Sequence, residues 1–210
     1  MAKNYQGILG NFSGKIGNVV GRVRNDRTVI AVYQPEVGNP QTTSQMAQRQ
    51  KLSVVTEFLK GAANIVRFSM KSLTKYGTGW SAAIQYNMTY AVTGSYPNQS
   101  VDTSLARISA GNVDLPYSPN ATPDGTTLTI QWADNSGMGN ALATDVICAA
   151  IYNKAKGQWI NNSQVAERNE RSASFAVPTA WTGDTINVYM YVRRGNTEFS
   201  NSSMLGSFPL

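Results

Sequence analysis

Asn39-Pro40-Gln41-Thr42-Thr43-Ser44-Gln45 opens the stretch that decides the fold, which continues through Arg49, Leu52, Val55, Leu59, Ala62 and Val66 to Met70. The last five apolar positions fall three, four, three and four residues apart, so they share one side of an α-helix. Val54, Phe58 and Ile65 widen that stripe to roughly half of the helix surface. Thr42 is placed to accept from the N–H of Gln45, with the Gln45 side chain reaching back, as in a capping box. Pro40 equally suits a start at Pro40 itself. A helix of about 25 residues would span nearly 40 Å, and its apolar side must be covered.

Upstream, Asn18–Arg24 and Arg27–Tyr33 are β-branched runs flanking Asn25-Asp26, the pattern of a β-hairpin with a two-residue turn. Alternation puts Val19, Gly21 and Val23 on one face and Val20, Arg22 and Arg24 on the other. Arg22, Arg24 and Arg27 crowd the hairpin tip, where they can meet phosphates or a neighbouring subunit's carboxylates, or simply guard an edge strand. The glycine-rich segment before it contains Gly14-Lys15, but Ile16 and a strand follow. A phosphate loop needs Ser or Thr and a helix there.

Downstream, Tyr76-Gly77-Thr78-Gly79 ends the long helix, and Trp80, Ile84, Met88, Ala91 and Val92 mark a second one, giving an αα-hairpin. The long helix carries Arg49, Lys51, Lys60 and Arg67 among its polar residues, against Glu57 alone. From about residue 105 the period becomes two. Arg107–Val113, Thr126–Ala133, Asp145–Asn153, Gln158–Asn161, Arg171–Val177, Thr185–Arg193 and Ser202–Phe208 read as seven strands. The expected fold class is therefore α+β: an N-terminal β-hairpin with a long helix and a second helix over 1–104, then a seven-stranded immunoglobulin- or fibronectin-like β-sandwich over 105–210. Trp132 is expected in that sandwich's core and Trp181 in the loop Thr179–Gly183 outside it, and a carbohydrate- or surface-binding module on the sandwich would need Trp159 and Trp181 to be exposed.

Composition narrows the function. The 210 residues include no histidine, which removes Ser-His-Asp, Cys-His and His-ligated metal chemistry. The acids are scattered without a glycosidase or metal motif, so no enzyme activity, no cofactor and no small-molecule substrate is expected. The loop Asp134–Asn140 lacks the spacing of a calcium loop. Cys148 sits in an apolar run and reads as a buried thiol. Met1-Ala2-Lys3-Asn4 leads into no apolar segment and no 18-residue apolar run exists, so neither export nor a membrane partner is expected. The net charge of +6 is uneven: residues 1–75 hold eleven bases and three acids, the rest seven bases and nine acids. That asymmetry suits a polyanion near the N-terminal part, head-to-tail contact between subunits, or plain solvation of a helix face.

Three further stretches carry a resemblance. They are Gln6-Gly7-Ile8-Leu9-Gly10 with Gly14-Lys15-Ile16-Gly17-Asn18-Val19-Val20-Gly21, the Asn39-Pro40-x-Thr42-x-x-Gln45-x-x-x-Arg49 element, and Trp132-x-Asp134-Asn135-Ser136-Gly137-x-Gly139-Asn140-Ala141-x-Ala143-Thr144-Asp145. Over nearly its whole length the chain resembles an uncharacterised family of Bacteroidota and their phages, a domain of unknown function. It departs from that pattern at Arg22-Val23-Arg24, where a tryptophan and a glycine are expected. The resemblance implies a phage context and assigns no site residues. The expected function is a bacteriophage virion structural protein (capsid, decoration or head–tail component) whose partners are itself as a homo-oligomer and other virion proteins. It would be found in the host cytoplasm during assembly and then in the virion. The alternative is a nucleic-acid-binding protein. Either way Arg22, Arg24, Arg27, Arg49, Lys51, Lys60 and Arg67 are the candidate subunit or nucleic-acid contacts.

Overall fold

A computed structural model describes residues 3–4, 12–24, 27–36 and 38–210. Gln6–Gly10 and the turn Asn25–Asp26 lie outside the described residues. The chain divides into two compact units, Met1–Gln41 and Thr42–Leu210.

The first unit is an antiparallel sheet in the order β1 (Lys3–Asn4), β2 (Phe12–Ile16), β3 (Val19–Arg24), β4 (Arg27–Val32). The expected hairpin is present: Arg24 pairs with Arg27 and Val19 with Val32.

The second unit begins with α1 (Thr43–Lys60), α2 (Ala63–Ser69) and α3 (Gly79–Tyr90). The Thr42 hydroxyl accepts from Gln45 N–H at 3.4 Å, and Thr78 and Ser81 form a full capping box at α3. One continuous helix to Met70 was expected, but the chain breaks at Gly61. The cause lies about a hundred residues away. Trp159 Nε1 donates to the Phe58 carbonyl at 2.6 Å and Asn161 Nδ2 to the Gly61 carbonyl at 3.1 Å, taking up oxygens at the helix end. A Cβ on Gly61 would stand 2.7 Å from Trp159 Cδ1. Leu52, expected inside the stripe, is exposed, while Val55, Phe58, Leu59, Ala62, Ile65 and Val66 are buried.

After the short pair β5 (Val92–Thr93) and β6 (Ser100–Val101) come β7 (Tyr117–Asp124), β8 (Thr127–Ala133), β9 (Val146–Asn153), β10 (Gln158–Glu167), β11 (Ser172–Ala176), β12 (Thr185–Arg194), β13 (Glu198–Phe199) and β14 (Ser203–Pro209). They form two antiparallel sheets, β11-β8-β7 and β10-β9-β12, with β13 and β14 both pairing along β12. Arg107–Val113 is not the first strand. It is an extended segment tied to the helices by Ser69 Oγ donating to Ile108 O, and to the sheet by Ser109 Oγ donating to Ser200 O. The first strand is β7, hidden in the sequence by Pro119 and Pro123. Prolines are tolerated there because β7 is an edge.

The larger sheet has two apolar faces. Ile147, Ala149, Ile151, Ile186, Val188, Met190 and Val192 pack with Leu128, Ile130, Trp132 and Trp181. Cys148, Ala150, Tyr189 and Tyr191 pack instead with Val55, Phe58, Leu59 and Val66 of the helices. Burial on both faces explains why β9 reads as an unbroken apolar run instead of alternating. Helices and sheet thus share a core, and the expected boundary at 104/105 does not coincide with the division at 41/42.

A candidate assembly surface on the N-terminal sheet

Directly opposed residues of an antiparallel pair share a face, so the register sorts every side chain of β2–β4. One face carries Phe12, Gly14, Ile16, Val19, Gly21, Val23, Thr28, Ile30 and Val32, with no charge. The other carries Lys15, Val20, Arg22, Arg27, Val29 and Ala31, with the backbone position of Arg24 beside Arg27. Lys15 Nζ lies 3.4 Å from the ring centroid of Tyr33, a cation–π contact at the end of this basic face. Gly21 is required: a Cβ there would meet the Phe12 ring at 2.5 Å. Phe12 covers the middle of the apolar face, yet Ile16, Val23, Ile30 and Val32 remain 54%, 47%, 62% and 69% exposed. These β-branched side chains form a contiguous, uncharged and exposed row on that face.

Of the other expected contacts, Arg49 and Lys60 are exposed on α1, with Arg49 Nη1 near Met46 Sδ at 3.9 Å. Lys51 does not join them. It lies one turn before Val55, on the core-facing side, and is half-buried. Arg67 is exposed on α2, beyond the break at Gly61. The helical bases therefore form no single stripe, whereas Arg22 and Arg27 share one face of the N-terminal sheet.

A second polar cluster lies in the body. The Asp134–Asp145 loop is fastened by Arg168, fully buried, whose Nη1 donates to Asn135 Oδ1 at 2.5 Å and whose Nη2 donates to Asp145 Oδ2 at 3.0 Å and Asp114 O at 2.6 Å. Arg194 closes the other side of Asp145, with Nε to Oδ1 at 2.7 Å, and also reaches Asn140. Burial pushes the Asp145 carboxyl up, but hydrogen bonds from Arg194, the Leu142 N–H and Arg168 outweigh it and hold the group below the usual carboxylate range. Arg168, Arg194 and Asp145 pair with one another, so this cluster orders the loop. Arg168 lies in Glu167-Arg168-Asn169-Glu170-Arg171, whose composition is that of a solvated charged run and hides a buried arginine; the polar motif at 134–145 is the signal for its partners.

Trp181, expected in a loop outside the core, is buried in the two-sheet core, and Trp159 is half-buried against Phe58. The Cys148 thiol is buried, which pushes its pKa up to about 11. Among the described residues no group of three or more His, Cys, Asp or Glu side chains could hold a metal ion, and no helix is long and apolar enough to cross a membrane.

A family model matches residues 11–206, almost the entire chain, and the protein belongs to that family of unknown function, DUF6266. No curated protein matches it.

Proposed function

We propose that this DUF6266 protein is a bacteriophage virion structural protein (a capsid, decoration or head–tail component) that works through self-assembly and protein–protein contact, in the host cytoplasm and then in the virion. The observation that carries the reading is the uncharged, exposed face of the N-terminal sheet. It is an apolar surface on a sheet too thin to bury it alone, which is what a chain used in many copies must offer. The resemblance to a phage-associated family supports the virion setting. The two sheets of the body support an immunoglobulin- or fibronectin-like sandwich. Lettered A, B, C, C′, E, F and G in chain order, β7, β8, β9, β10, β11, β12 and β14 give A-B-E opposite C′-C-F-G. Such a sandwich is a scaffold for recognition surfaces and names no activity by itself.

The test places charge on the face without touching the β4 edge. Ile16→Asp with Val23→Asp should abolish the rings, tubes or shells that negative-stain images of the full chain are expected to show, while the near-ultraviolet spectrum of the body persists. Particles that survive the double substitution would remove the reading. A second reading, nucleic-acid binding, is favoured by Lys15, Arg22 and Arg27 sharing the opposite face. It requires log affinity for duplex DNA to fall with log salt by about 0.9 per phosphate contact, with Arg22→Ser and Arg27→Ser together removing roughly two such contacts.

A further inference from the structure

We infer that β4 is a docking edge for a second copy of this chain, which adds its own β4 in antiparallel register centred on Ile30. The inference rests on the self-assembly reading and names the partner and the contact.

Among the described residues β4 ends the sheet order, and its sequence Arg27-Thr28-Val29-Ile30-Ala31-Val32 has one charge, at the first position. Natural edge strands are guarded by lysines, prolines, bulges or a covering element, because an open edge invites another strand. β4 contains no lysine and no proline, and its register with β3 is unbroken by a bulge from Arg27 to Val32. Its side chains are exposed on both faces: Val29 at 56% beside Ile30 and Val32.

Backbone direction adds the second argument. Tyr33 N–H donates to Asn18 O at 2.8 Å, so the alternate positions 33, 31, 29 and 27 bond towards β3. Ile30 and Val32 therefore turn their N–H and C=O groups outward, away from the hairpin. Pairing Ile30 with Ile30 of a second copy keeps like faces on like sides. On the apolar face it sets Val32 opposite Thr28 of the other chain. On the basic face it sets Val29 opposite Ala31, and Arg27 beside Tyr33. The two Arg27 side chains then stand about 20 Å apart, six residues along the ribbon, well beyond the Debye length of about 8 Å. The uncharged faces of the two sheets become one continuous surface, doubled in width. A foreign strand would meet the same outward groups but has no reason to match this pattern, whereas the chain's own strand matches it about one centre. The strand is only about 20 Å long, so the contact belongs to the small, reversible class and closes a two-fold pair.

Cysteine cross-linking of the full-length chain tests both the pairing and its register. Directly opposed residues that exchange hydrogen bonds have Cα atoms about 5.5 Å apart, inside the range a disulfide spans. In a Cys148→Ser background, Ile30→Cys should form a covalent dimer under mild oxidation at least tenfold faster than Val23→Cys, which lies on the same face but on β3. Separately, Ile30→Lys and Ile30→Pro should each abolish self-association in sedimentation, since Ile30 contributes no hydrogen bond to β3 and the hairpin survives. Equal cross-linking at positions 30 and 23, or self-association unchanged in both Ile30 variants, overturns the inference. If particles persist in Ile30→Lys but vanish in Ile16→Asp/Val23→Asp, the assembly reading stands and strand pairing alone falls.

Discussion

Trp181 and Arg168 show how burial alters the weight of single residues. Trp181 sits in a short turn of Thr179–Trp181, yet it closes the end of the two-sheet core with Nε1 pointing to Gln158 Oε1 at 3.4 Å. Trp181→Ala should therefore cost roughly 3–5 kcal/mol, the same range as Trp132→Ala, because both remove a buried indole and leave a cavity. Urea midpoints measure this directly, and a Trp181 variant near wild type would place that ring outside the core. For Arg168 the relevant quantity is the charge left behind. Removing it strands Asn135 Oδ1 and the Asp114 and Leu142 carbonyls and leaves Asp145 with Arg194 and the Leu142 N–H. Arg168→Met should cost roughly 3–5 kcal/mol, as breaking a buried pair does. The pH sign follows from the depressed Asp145 pKa. The native state binds fewer protons than the unfolded chain below about pH 4, so this contribution is present above that pH and lost as acid reaches the folded-state value. Acid titrations of Arg168→Met should show a smaller loss of stability over that window than wild type; an identical loss would show that Arg168 does not hold Asp145 ionised.

At the scale of elements, what was legible was what is local. Thr42 and Thr78 cap their helices through residues three positions on, and β8, β11 and β12 announce themselves by strict alternation. The apolar-versus-arginine split of β3 could also be read directly, though only the pairing with β2 and β4 shows that Ile16, Ile30 and Val32 complete the uncharged face. What could not be read was imposed from a distance. β7 is a strand because β8 pairs with it, despite Pro119 and Pro123. The long helix stops at Gly61 because Trp159 and Asn161 of β10 occupy the space and the carbonyls there. This gives a test in which two effects oppose each other. Gly61→Ala raises helix propensity by about 1 kcal/mol, but its methyl would meet the Trp159 ring at 2.7 Å. Overpacking of this kind costs roughly 1–3 kcal/mol, so the variant should melt at or below wild type, and Gly61→Leu clearly below. A stabilised Gly61→Ala would mean that the break is set by the glycine itself and not by β10.

For the whole molecule, the decisive matter is which parts can stand alone. A chain whose period changes near residue 105 invites a division there, but the change marks a switch of element type inside one body. The larger sheet is covered by helices on one face and by β7, β8 and β11 on the other, and the segment 105–114 is bonded to both the helices and β12–β14. Separating the halves would expose Tyr189, Tyr191 and Ala150 on one side and Val55, Leu59 and Val66 on the other, at about 25 cal/mol per Å² of apolar surface. Among the described residues of 33–41, none lies in a helix or strand. A protease specific for glutamate should therefore cut first after Glu36, which is exposed, and leave residues 37–210 as a fragment that unfolds cooperatively and keeps its tryptophan signal. Cleavage engineered between Gly94 and Asn98 should instead yield two pieces that stay together until denatured. Release of a folded 105–210 fragment would show that the two sheets do not depend on the helices.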